Sequence, residues 1–233
     1  MSTSTAVNRR ALAQPALVPV GVVVVAAWVL VALTPMDRFW TMWLAMAVAM
    51  MVPSVSRPLA RAADGSPLRA LAFTAGFVAV WAAAGVPALL LGRAITWTPG
   101  ALALAWAVAG AWQLLPWVRR QLVTCRSVGY HGNPSAYGLR QGLRCVTSCG
   151  PLMIAAGATI MLLPQLWLSM LLLVAVTALV CWQKSPLRSS RTLVVVGMAM
   201  LLLGAVSWTL VGNGASAGHP GHAMSMGSTS AQR

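Results

Sequence analysis

Long apolar runs punctuated by short clusters of arginine constrain this chain more than any other feature. A run of about 17 apolar residues or more covers a hydrocarbon core of about 30 Å at 1.5 Å per residue. Such runs occupy residues 16–33, 39–55, 69–92, 100–118, 143–163, 166–182 and 192–211. The expected fold is therefore all-α, a polytopic transmembrane helix bundle of about seven spans. Residues 1–15 make an N-terminal tail, residues 16–211 a single membrane domain, and residues 212–233 a Gly, Ser, His and Met tail. That last composition buries nothing and is expected to stay disordered.

Local signals set the boundaries. Arg9 and Arg10 before the first run also open a signal peptide, but no clean small-x-small cleavage site follows and Pro35, Asp37 and Arg38 read as a turn. An uncleaved anchor is the expectation. The polar stretch 121–141 is read as the longest connection, with Gly129, Gly132, Asn133 and Pro134 marking a loop inside it. Pro164 and Gln165 form a tight link between the fifth and sixth runs.

Charge is lopsided: 16 Lys and Arg face 2 acidic residues, a formal charge of +14. Because the cations fall in clusters between apolar runs rather than along one polar face, they report membrane topology and no nucleic-acid partner is expected. Thirteen of the 16 lie in the N-terminal tail and the second, fourth and sixth loops. Lys and Arg near span ends stay in the cytoplasm, which puts the N-terminus inside and the C-terminus outside a bacterial inner membrane. Trp40, Trp97, Trp117, Trp167, Trp182 and Trp208 fall near span ends, as interfacial belts do.

Asp37 and Asp64 are the sole carboxylates. Paired-carboxylate catalysis, aspartate-based phosphoryl transfer and acidic proton wires are thereby excluded. There is no G-x-x-x-x-G-K-[ST] loop, no G-x-G-x-x-G after a strand and no H-E-x-x-H. The chain is not expected to be an enzyme. Gln113 and Gln183, polar groups at apolar depth, are expected to hydrogen-bond between helices.

What remains is sulfur. Cys125, Cys145, Cys149 and Cys181 all fall toward the reducing cytoplasmic face in this topology, which disfavours structural disulfides. Cys145, Cys149 and Met153 stand at i, i+4 and i+8, one face of a helix, and soft donors at that spacing suit Cu(I) better than zinc. Arg144 and a helix end, where the fifth run begins, are expected to activate the thiols. Met42, Met46 and Met50 repeat the spacing in the second run, as weak ligands along a path or as gap-filling core. In the tail, His219, His222, Met224 and Met226 bring imidazole and thioether donors together within eight residues, a capture site or an inert end. His131 reads as a loop residue.

Met46 to Pro53, Gly76 to Trp81, Trp112 to Pro116, Cys125, and Gly142 to Met153 resemble, in order and spacing, a bacterial family of metal-binding integral membrane proteins, domain of unknown function 2182. The resemblance spans residues 40–185 and implies a helical membrane protein with a metal role. Met50, Met51 and Pro53 match its Met-Met-x-Pro signature, and Cys125, Cys145 and Cys149 match cysteine positions. The chain departs from the pattern at Gln121 and Ser148, where cysteines are expected, and at Gln183, where a Glu precedes the lysine.

Copper is the expected ion and the lipid bilayer the expected partner. The leading reading is an integral membrane protein that binds or passes Cu(I) in either direction through Cys, Met and His ligands. The alternative is a non-catalytic subunit or assembly factor packing its small residues, among them Gly76, Ala83 and Ala84, against other membrane subunits. A thiol-disulfide oxidoreductase using Cys145 and Cys149 fits least, since an i, i+4 pair within a helix is poorly aimed for bridging.

Overall fold

The computed structural model describes residues 15–34, 38–126, 132–162, 166–184 and 195–202, with the side chains of 122–123, 125–126, 161–162 and 166 set aside. Every regular element among them is helical. A 3-10 turn, Pro15–Leu17, leads into α1 (Val18–Leu33). There follow α2 (Phe39–Ser54), α3 (Ser56–Ala63), α4 (Pro67–Ala94), α5 (Pro99–Leu114), α6 (Pro116–Arg126), α7 (Pro134–Leu162) and α8 (Leu166–Gln183), then helical residues at 195–202.

Proline writes the starts. α4, α5, α6 and α7 each begin on a proline, whose missing N–H costs nothing in the first turn and whose φ is already helical. Thr98 caps α5 by accepting from the Ala101 N–H at 3.2 Å, and Asn133 caps α7 by accepting from the Ser135 N–H at 2.9 Å. Asp64 closes α3 in the left-handed region (φ 45°) and pairs with Arg69 at 3.1 Å.

Three stretches, Pro15–Leu33, Pro67–Ala94 and Pro134–Ile160, are long and apolar enough to cross a membrane. Phe39–Ser54 with Ser56–Ala63 makes a fourth if that pair, bent by 80°, counts as one span. α1 is apolar on all sides and leaves Val18, Val22, Val25, Val29 and Leu33 exposed.

Two boundaries differ from the sequence reading. The run 100–118 is broken, because Pro116 drives Leu115 into the extended region (ψ 132°) and ends α5 after 16 residues, roughly 24 Å of helix. α7 starts at Pro134, so residues 134–141, read as loop, are helical and carry Cys145 about three turns from the helix end. The helix terminus expected to activate the thiols is therefore too far away to act on them.

α4 and α7 form the central pair. Gly76 lies against the Ser135 carbonyl and Gly138 against that of Phe73, while a Cβ on Gly142 would stand 3.0 Å from the Phe77 carbonyl oxygen. The backbones approach so closely that no side chain fits between them. Around this seam Phe73 stacks on Phe77 and packs on Tyr137, and the Trp43 indole donates to the Trp81 carbonyl at 2.7 Å. α5 is pinned to α7 by Trp106 donating to Thr159 (3.0 Å), Trp112 to the Thr147 carbonyl (2.8 Å) and Gln113 to the Ser148 carbonyl (2.9 Å). The last is the interhelical bond expected of Gln113.

Candidate metal centre

α2 does not keep one helical register. Ala47–Met51 is π-helical and ends two residues before Pro53. Proline offers no N–H to the carbonyl four residues back, and its ring crowds that carbonyl, so the wider turn relieves the strain. Ser54 then donates to the Met51 carbonyl at 2.7 Å as the chain turns into α3. This local widening sets consecutive residues Met50 and Met51 in the interior, both with no exposed surface.

α7 presents Cys145, Cys149 and Met153 on the facing stripe, all three likewise fully buried. The Met51 Sδ lies 3.9 Å from the Cys145 Sγ, although 94 residues separate them. Cys149 follows Cys145 by one helical turn on the same buried stripe. Two thiols and a thioether thus meet in a dry interior.

A cation joins them. Lys184, at the end of α8 and 8% exposed, donates to the Cys145 Sγ at 3.0 Å and to the Ser54 Oγ at 2.9 Å. The positive charge beside the thiols therefore comes from Lys184 rather than from Arg144, the sequence neighbour expected to supply it. Ser148, where the resemblance expects cysteine, is buried with its Oγ 3.5 Å from the Cys149 Sγ and bonded back to the Arg144 carbonyl at 2.8 Å. Gln183 is also fully buried. Of the two carboxylates, Asp64 is tied to Arg69 at the surface and Asp37 lies outside the described residues.

The other sequence candidates scatter. Met46, one turn before Met50, is buried and lines a cavity of about 210 Å³ together with Met42 and Met153. Cys181 is half-buried on α8, three residues before Lys184. Cys125 falls at the end of α6 with its side chain outside the described residues, as are His131, His219, His222, Met224 and Met226 in full. Among the described residues no three His, Cys, Asp or Glu side chains cluster.

Sequence reasoning missed Lys184 and Ser54 and undervalued Met51. The signals were the Met-Met-x-Pro run, whose second Met is the one that reaches Cys145, and the lysine closing the sixth apolar run.

No curated protein and no solved structure matches the chain. Residues 40–207, nearly three quarters of its length, match PpoB2, a family of copper chaperones, and span the π segment, both buried thiols and Lys184. The chain belongs to the PpoB2 copper chaperone family.

Proposed function

We propose that this chain is an integral membrane copper chaperone that holds Cu(I) between Cys145, Cys149 and Met51. The observation that carries this reading is the 3.9 Å separation of the Cys145 and Met51 sulfurs. With metal–sulfur bonds of about 2.3 Å, that separation subtends an angle of about 116° at a shared ion, close to trigonal. Cys149 is the adjacent third donor. The three donors are all sulfur, which favours a soft monovalent ion over zinc.

The arginine distribution supports a cytoplasmic-membrane location with the N-terminus inside and the C-terminal tail outside. In that orientation the His and Met tail captures copper outside and the thiols receive it nearer the cytoplasm. The chain carries metal and catalyses no reaction. Of the small residues that lateral docking on other subunits would use, Gly76 is consumed against Ser135 and Ala84 packs partly against the core, while Ala83 is exposed.

The test is copper content after purification in detergent under reducing conditions with Cu(I) supplied. Wild type is expected to retain stoichiometric copper, Cys145→Ser/Cys149→Ser to lose it, and a chain truncated after Gly212 to retain it at the thiols while losing tail-bound metal. Background copper in the wild type would overturn the reading.

A further inference from the structure

A site with no exposed surface needs a way in. Met50, Met51, Cys145 and Cys149 are all fully buried, and the Lys184 side is closed by the bonds of that lysine to Cys145 and Ser54. On the opposite side stands the cavity of about 210 Å³ between α2, the C-terminal end of α4 and the second half of α7. Its wall contains Met46, one turn before Met50 on α2, and Met153, one turn after Cys149 on α7. Four residues of helix rise about 6 Å, so the cavity wall adjoins the sulfur site on both helices.

The wall has its own chemistry. Met42, Met46 and Met153 give it three thioethers, and Trp43 and Trp97 add indole rings to its lining. Neither carboxylate nor imidazole lines it, and its charged residue, Arg93, is exposed at the end of α4. Hard divalent ions find no ligand there. A soft ion finds neutral donors that bind weakly enough to let go.

We propose that this cavity is the loading port of the buried thiol site, with Met42, Met46 and Met153 as a transit site for Cu(I). The inference rests on the copper reading above. Movement inward is ligand exchange without electron transfer: a copper–thioether bond breaks as a copper–thiolate bond to Cys149 or Cys145 forms, and the thiol proton leaves to solvent. Copper stays Cu(I) throughout.

Two glycines make the port testable without breaking the fold. Gly157 and Gly92 both line the cavity, and a Cβ at either position meets no heavy atom within 4 Å. Gly157→Phe therefore plugs the cavity from α7, and Gly92→Leu plugs it from α4 should the first variant fold poorly.

The experiment follows Cu(I) transfer from a coloured chelator to the full-length protein in detergent, by stopped flow. Both plugs are expected to slow loading roughly tenfold while final copper per thiol pair stays at the wild-type value. Met42→Leu/Met46→Leu/Met153→Leu, which keeps the volume and removes the sulfur, is expected to slow loading less and also to spare the end point. A copper-free readout runs alongside: methanethiosulfonate labelling of Cys145 and Cys149 is expected to slow in the plugged variants. Wild-type loading and labelling rates in both plugs would overturn the port while leaving the thiol site intact. A wild type that takes up no copper would overturn both.

Discussion

α7 buries two faces by opposite means. Toward α4 it offers Gly138 and Gly142, and the backbones close on each other until a Cβ has nowhere to go. Toward α2 it offers Cys145, Cys149 and Met153, and the partner helix widens into a π turn to bring Met50 and Met51 inward. The glycine seam is rigid because any displacement opens a void or forces an overlap. The sulfur seam is built from unbranched, polarizable side chains that fill irregular space and can rearrange around a guest. One helix thus serves as a fixed strut on one face and an adaptable wall on the other.

The largest stability effect should come from the rigid side. Gly138→Leu puts a branched side chain against the Phe73 carbonyl, and the overlap is expected to cost about 3 kcal/mol or more, read as a lower midpoint of thermal unfolding in detergent. If Gly138→Leu is tolerated, the seam is not the strut described here.

Lys184→Met addresses the adaptable side and separates stability from binding. Removing the ammonium leaves Cys145 and Ser54 without the donor they share, at a cost of about 1 kcal/mol. The same change removes, from 3.0 Å away, the ammonium that stabilises the thiolates to which Cu(I) binds, and Cu(I) affinity in a chelator competition titration is expected to fall roughly tenfold. A rise in affinity would instead make Lys184 a competitor for the site.

The smallest effect belongs to a position in neither seam. Gly21 sits on exposed α1 with nothing within 4 Å of a Cβ. Gly21→Ala is expected to stabilise the helix by about 0.5–1 kcal/mol without altering copper uptake, which thermal unfolding and metal content together check.

Much of this was legible in the residues. The apolar runs foretold helices throughout the described residues, and the spacing of Cys145, Cys149 and Met153 placed them on one buried stripe, whereas Pro116 and Pro134, read inside a span and a loop, each begin a helix. Local pattern went wrong where an effect was not periodic. A regular helix groups Met50 with Met42 and Met46, but the π turn ahead of Pro53 breaks that register and hands the contact with Cys145 to Met51. Lys184 is 39 residues from Cys145, and no spacing rule connects a span-ending lysine to a thiol on another helix. The early start of α7 was hidden because residues 134–141 are polar enough to read as loop, although Tyr137 and Gln141 are buried against the bundle.

A π turn is also a change of phase. Each residue of an α-helix advances the direction of its side chain by about 100°, so one surplus residue rotates everything before it relative to everything after it by that amount. In α2 the part before the widening carries Met42 and Met46 to the cavity, and the last residue of the widened turn, Met51, reaches Cys145. The helix behaves as two short gears on one shaft, each meshed with a different stretch of α7. A single-residue deletion within Ala47–Ala49 would leave composition and hydropathy almost untouched, yet would turn one gear out of mesh with its teeth.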